Sequence, residues 1–263
     1  MNLTEGPRSD QSGTGEAGPP GILAREDGAT IAYRRRAGAT PGIVFLGGFM
    51  SDMNGTKASF LDEFAAARGR AFLRFDAFAH GASSGDFARA TIGRWRQDML
   101  AVLDHLTEGP QIVVGSSLGG WLMLLAALDR PERVAALVGI AAAPDATEDL
   151  MWGQFPAEIR ATILRDGAAE IATAYGDRPY LFTRRLIEEG RDHLVMRAPL
   201  PIHCPVRLIQ GMNDPDVPWR TSLALADNIS GGDVTVTLVK DGDHRLSRAR
   251  DLALLARTIE GLF

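Results

Sequence analysis

The sequence predicts an α/β fold, a mostly parallel sheet covered by helices on both faces. Three observations predict it. Short continuous apolar runs, each ended by glycine or proline, recur along the chain, as strands buried on both sides do. Between them lie stretches whose apolar residues repeat at helical spacing, and this alternation is that of βαβ units. The chain also has 263 residues, 45% of them hydrophobic and 23% charged, which suits one large core.

The elements follow in order. The start, "MNLTEGPRSDQSGTGEAGPPG", reads as a disordered tail over residues 1–20. It has neither the apolar centre of a secretory signal nor the Arg-rich amphipathic pattern of a transit peptide. "ILAREDGATIAYRR" alternates around Asp27-Gly28, a two-residue hairpin signal. "GIVFLGG" (42–48) reads as a buried strand, with a helix near 56–68, a strand at "AFLRFD" (71–76) and a helix over 91–107. "QIVVGS" is a strand, and "SLGGWLMLLAALDRP" is a helix that stops before Pro131. "VAALVGIAAAP" reads as a strand ending at Pro144. The rhythm then breaks. Residues 145–203 carry Trp152, Phe155, Tyr175, Tyr180 and Phe182 with no clear strand pattern, and read as a small cap insertion in a single domain over 21–263. Ligands of open α/β sheets bind at the carboxyl ends of the strands, so such a cap would lie near a site. The pattern resumes with "PVRLIQG" (205–211), a helix near 219–229, "VTVTLV" (234–239) and a last helix near 247–262.

Charge and cysteine content exclude some functions. The net charge is −5, from 28 basic and 33 acidic residues, and it argues for no nucleic-acid partner and no anionic membrane surface. The run "RRR" at 34–36 reads as a solvated strand end. No apolar stretch approaches the roughly 18 residues of a transmembrane helix. The single cysteine, Cys204, rules out a disulfide framework and fits a reducing cytoplasm. His203 stands beside it, but neighbours on an extended chain point apart, so Cys204 reads as structural. Composition sets no oligomeric state.

The chemistry centres on "IVVGSSLGGW" (112–121). A strand meets a helix there with almost nothing between. So sharp a turn strains its apex residue and presses together the residues two before and two after it, which must be very small. Around Ser117 the flanks are Gly115 and Gly119; around Ser116 they would be Val114 and Leu118. Ser117 is therefore the expected apex of a G-x-S-x-G nucleophile elbow, against the alternative of a plain Gly/Ser helix cap. The backbone N–H of Leu118 then becomes one donor for an oxyanion. A serine hydroxyl needs a base, and the base needs a carboxylate to orient it. Of five histidines, His80 and His105 precede the serine, and His193 and His203 lie in or beside the insertion. His244, in "KDGDHRLS" after the strand "VTVTLV", holds the strand-end position the base requires. The acid should lie between the two, at another strand end. "VRLIQGMNDPDVPW" offers Asp214, favoured, and Asp216. Asp241 and Asp243 sit too close to His244 in sequence to orient it comfortably. The second oxyanion donor is expected from the loop after "GIVFLGG", at the N–H of Phe49.

With these residues in place, the chain over residues 22–263 resembles the serine α/β-hydrolases. "FDAFAHGASSGD" (75–86) is similar to the D-x-x-G-x-G-x-S stretch after the fourth strand of many members, with Asp76 structural. "GMNDPDVP" resembles the G-x-x-D-x-x-V-P acid loop, and "GDHR" the histidine loop. The blocks "SDMNGTKASFLDEFA", "GRWRQDML", "GPQIVVGSSLGGWLML", "CPVRLIQGMNDPDVPW" and "DHRL" together resemble the mitochondrial palmitoyl-protein thioesterase and mycophenolic acid acyl-glucuronide esterase family. That resemblance implies an α/β-hydrolase fold and a triad of Ser117, Asp214 and His244. It implies acyl ester or thioester substrates, S-acylated proteins among them, and no metal or organic cofactor. It does not carry over the compartment: the expectation is cytoplasmic for a bacterial relative and mitochondrial for a eukaryotic one. The alternative is a small-molecule carboxylesterase without protein substrates. Acyl transfer to a non-water acceptor, C–C bond hydrolysis and a non-catalytic binding role are more distant alternatives.

Overall fold

The computed structural model describes residues 18–173, 175 and 179–263. Up to residue 17, the expected tail lies outside the described residues.

Among the described residues, ten strands and seven α-helices are defined: β1 Gly21–Ala24, β2 Thr30–Arg36, β3 Ala39–Leu46, α1 Thr56–Ala67, β4 Arg70–Phe75, α2 Ile92–Leu106, β5 Gln111–Ser116, α3 Leu118–Asp129, β6 Val134–Ile140, α4 Ala157–Asp166, β7 Ala168–Ile171, β8 Tyr180–Thr183, α5 Arg184–Gly190, β9 Val206–Gly211, α6 Arg220–Asn228, β10 Val234–Val239 and α7 Ala249–Glu260. Eight strands form one sheet in the order β1-β2-β4-β3-β5-β6-β9-β10. β2 runs antiparallel to β1 and β4, and every other pairing in this sheet is parallel.

The central strands are apolar on both faces because both faces are covered. Val44, Leu46 and Val113 point into one core cluster, with Trp95 and Met99 of α2 and Trp121 of α3. Their alternates Ile43, Phe45, Ile112 and Val114 point into the other, with Leu61 of α1 and Leu255 and Ile259 of α7. Period-two alternation across a doubly covered sheet is thus what a continuous apolar run encodes. Burying each such side chain contributes about 1.5–3 kcal/mol.

Three expectations need correction. The β1–β2 connection spans residues 25–29, not two residues: the Arg25 N–H bonds the Ala29 carbonyl, and Gly28 takes φ +83. That left-handed glycine closes a longer hairpin loop. β6 ends at Ile140 rather than Pro144. Ala141 turns left-handed at φ +47, and the chain leaves the ladder to wrap the end of β5, where the Ala143 N–H bonds the Ser117 carbonyl. Residues 145–203 do contain strands. β7 and β8 pair antiparallel, with Ala169 opposite Phe182. Each has only four residues, and this hairpin packs with Ile163 of α4, Met151 and Phe155 into a small core of its own.

Candidate active site

The site grows from the junction of β5 and α3. Ser117 sits there at φ 55, ψ −119, a conformation that costs energy outside glycine and persists only where the surroundings impose it. They do impose it. The Ser117 N–H bonds the Ile140 carbonyl at 2.9 Å, and the Ser117 carbonyl accepts from the N–H groups of Gly120 and Ala143. The small flanks have a measurable reason. A Cβ on Gly115 would stand 2.3 Å from the Gly119 carbonyl oxygen, and one on Gly119 would stand 2.2 Å from that of Leu46.

Two further strand ends supply the partners. His244, in the loop after β10, places Nε2 3.1 Å from Ser117 Oγ. Asp214, in the loop after β9, accepts from His244 Nδ1 at 2.8 Å through Oδ2. The Asp214 side chain is fully buried and His244 retains 14% exposure. Asp214 Oδ1 accepts the N–H groups of Asp216 and Val217, each at 2.9 Å. Gln210 donates to Oδ2 at 2.9 Å and is itself held by the Ser222 hydroxyl. Sequence reasoning missed Gln210. A buried amide at the second-to-last position of the strand that feeds the acid loop gives no pattern, and only the contact reveals it.

The other titratable candidates fall elsewhere. Asp216 is exposed and accepts a short hydrogen bond from the Tyr175 hydroxyl. Its carboxylate, that of Asp214 and a His244 nitrogen lie within 4.8 Å of one another, the geometry of a metal-binding group. Asp214 has already committed both oxygens to hydrogen bonds, so its capacity as a ligand is spent. His105 is exposed on α2, and His193 pairs with Glu189 at 3.0 Å. Asp76 ties two loops together, accepting from Met53 at 2.6 Å and Ala82 at 2.8 Å, and burial pushes its carboxyl up.

Gly48 brings the loop after β3 over the nucleophile: a Cβ there would lie 3.3 Å from Ser117 Cβ and 3.8 Å from Oγ. The next residue is Phe49. Among the described residues, neither the Phe49 N–H nor the Leu118 N–H has an acceptor. The cavity above Ser117 has a volume of about 690 Å³. Phe49, Leu150, Met151, Phe155, Tyr180 and Phe182 line its apolar side, and Asp52, Lys57 and Arg245 its polar side. Lys57 Nζ donates to the Arg245 carbonyl at 2.6 Å. Burial, with Arg245 beside it, lowers the Lys57 ammonium to about 8. The arrangement offers a strained hydroxyl aimed at a base, an acid behind that base, and two bare N–H groups beside the hydroxyl.

Comparison with known proteins agrees with this architecture. The family model for the alpha/beta hydrolase fold matches residues 41–187. A mouse mitochondrial palmitoyl-protein thioesterase, ABHD10, is 45% identical over 242 residues, covering 92% of this chain and 81% of that protein. The human protein of the same name is 43% identical over 92% of this chain and 79% of its own. Among solved structures, mouse alpha/beta hydrolase domain-containing protein 10 superposes with a TM-score of 0.86 at 44% identity, over 93% of this chain and 98% of that one. A putative hydrolase from Agrobacterium vitis S4 gives 0.87 at 42% identity, over 92% and 96%.

Proposed function

Since the chain belongs to the alpha/beta hydrolase fold family, we propose that it hydrolyses acyl thioesters or esters through an acyl-enzyme on Ser117. His244 removes the Ser117 proton as Oγ attacks the acyl carbonyl. Asp214 holds the imidazole with its proton on Nδ1 and stabilises the imidazolium. The N–H groups of Phe49 and Leu118 receive the oxyanion. The thiol or alcohol departs with the proton from His244, and a water activated by the same imidazole releases the acid.

One observation carries this reading: the unbroken line from Ser117 Oγ through His244 to the buried Asp214, at 3.1 and 2.8 Å. S-acylated proteins are the proposed natural substrates, supported by the relatives named palmitoyl-protein thioesterase and by an apolar cavity wall suited to an acyl chain. Acyl-glucuronide esters are a further class in the same reading. A reducing compartment, the cytoplasm or a mitochondrial matrix, suits a chain with one cysteine. A small-molecule carboxylesterase would use the same residues and differ only in substrate preference.

Initial rates on an octanoyl thioester and the matching octanoyl oxyester test both levels, with Ser117→Ala as the blank. The variant should lose on the order of 10⁴-fold or more in kcat. A strong thioester preference supports the thioesterase, and an oxyester preference supports the carboxylesterase. Wild-type rates in Ser117→Ala would end the triad reading.

A further inference from the structure

His80 precedes the nucleophile in sequence and lies outside the triad, yet its ring touches the loop that carries Phe49. We propose that His80 is a positioning residue for the oxyanion site: its Nε2 anchors the Met50 N–H and thereby keeps the Gly48–Phe49 peptide in place over Ser117. The proposal rests on the Ser117 reading above and deepens it.

The anchor is rigid. His80 is 8% exposed, with its ring edge-on to Phe87 at 5.4 Å and to Trp95 at 5.2 Å between centroids. Nε2 accepts from the Met50 N–H at 3.1 Å, so it carries no proton. Nδ1 lies 3.1 Å from the Phe78 carbonyl oxygen, so it carries the proton and donates. These two contacts select one neutral tautomer. Phe78 is pinned in turn: its N–H bonds Asp98 Oδ2 at 2.8 Å, and its carbonyl also accepts from Trp95 Nε1 at 3.0 Å. The histidine is thus fixed from the core and cannot follow a loop that moves.

The loop itself needs holding. Residues Gly48–Ser51 form a turn closed by the Ser51 N–H and hydroxyl, both on the Gly48 carbonyl, at 3.2 and 2.8 Å. Met50 occupies its third place at φ +53, a region that side chains of this size avoid. A left-handed residue in that place marks a type II turn. Flipping the central peptide would return Met50 to ordinary right-handed backbone and carry its N–H away from His80. The His80 acceptor therefore selects the less comfortable turn. Phe49 is the first central residue of that turn, and its N–H is a proposed oxyanion donor. A donor displaced by about 1 Å from a developing charge can cost on the order of 10²-fold in rate.

Two substitutions separate this role from simple packing. His80→Asn keeps a donor near the place of Nδ1, for Phe78, but leaves the Met50 N–H bare. His80→Gln can present an amide oxygen near the place of Nε2. Both are assayed on the octanoyl thioester, alongside wild type and Ser117→Ala. A second readout is inhibition by an octanoyl-chain trifluoromethyl ketone. Ser117 adds to this ketone to give a tetrahedral adduct with a charged oxygen, so its affinity reports the oxyanion site. Octanoate, the product, serves as the ground-state control. His80→Asn should lower kcat about 10- to 100-fold with KM within about threefold. It should weaken the ketone by a similar factor and leave octanoate inhibition unchanged. His80→Gln should recover most of both losses. The proposal is overturned if His80→Asn keeps wild-type kcat and ketone affinity. Equal weakening of ketone and octanoate, or equal losses in Asn and Gln variants that follow their melting temperatures, overturns it too. Wild-type rates in Ser117→Ala would instead overturn the triad reading, and that outcome is visible in the same assay.

Discussion

Two neighbouring strands, β6 and β9, pair in parallel, and each is followed by a loop with an aspartate whose side chain is fully buried. The two carboxylates are spent differently. Asp214, after β9, gives Oδ1 to its own loop and Oδ2 to Gln210 and His244. Asp145, after β6, gives both oxygens to the N–H groups of Val195 and Met196, at 2.7 and 2.9 Å, and lies 3.5 Å from Arg197. Burial pushes the Asp145 carboxyl up. One buried acid faces the proposed base, and the other fastens the returning end of the cap to the sheet. Depth and strand-end position therefore do not identify a triad acid; the partner does.

The largest test of this contrast is Asp214→Asn. It should lower kcat/KM by about 10³- to 10⁴-fold, because the amide no longer orients and stabilises the imidazolium. Its amide must also set an NH₂ group against one of the donors that Asp214 accepts, so it should lose stability as well. Asp145→Asn should lose stability without the loss of rate. The amide sets an NH₂ group against a backbone N–H, which costs about 1–3 kcal/mol of stability in a denaturant titration, while kcat stays within about tenfold. Loss of activity in Asp145→Asn to the level of Asp214→Asn would erase the contrast.

Smaller effects should come from contacts around the rim of the site. The Tyr175 hydroxyl reaches from the β7–β8 connection to Asp216 in the acid loop. Its ring lies 5.9 Å from that of His244. Tyr175→Phe keeps the ring and removes the bond, and should raise KM about 2- to 10-fold, the worth of one hydrogen bond, with kcat little changed. A drop in kcat without a change in KM would move Tyr175 into the chemistry. The smallest effect concerns Lys57, which ties α1 to the histidine loop. Its folded pKa of about 8 lies below the ordinary lysine value of 10.5. Between these two values the unfolded chain binds more protons, so this group makes stability rise with pH across that window. Lys57→Met should lack the rise. The wild-type melting temperature should gain a few degrees on the variant between pH 8 and pH 10, and parallel curves would contradict this.

The sheet was legible in the sequence because burial on both faces leaves an unbroken apolar run, as in "IVFL" and "IVV". The elbow was legible because its crowding is local: Gly115 and Gly119 are four residues apart and in contact. Asp214 and His244 stand out in the sequence as strand-end residues; His244 lies 3.1 Å from Ser117 Oγ and 2.8 Å from Asp214 on its other side. The β7–β8 hairpin was not, since four-residue strands such as "AAEI" and "YLFT" carry too little alternation to register. Asp145 and Gln210 were not, because their roles lie in bonds to residues 50 positions away or to an acid whose own role comes first. The end of β6 was misjudged for a related reason. "AAAP" continues the apolar run, but the backbone turns left-handed at Ala141 to serve the elbow next door.

Phe49 belongs both to the loop above Ser117 and to the packing of the cap. Its N–H lies on the loop above Ser117, and its ring stacks on Phe182 of β8 at 5.3 Å with 9° between planes, and meets Tyr180 edge-on at 5.4 Å. With the Phe49 N–H as the proposed oxyanion donor, rate and selectivity would share a residue. A lineage that reshapes the cap for a different acyl group, by exchanging Phe182 or Tyr180, also tilts the group that would bind the oxyanion. Changes in substrate range should arrive coupled to changes in turnover, and a cap swapped in from a relative should need a compensating change at position 49 before it works at full speed.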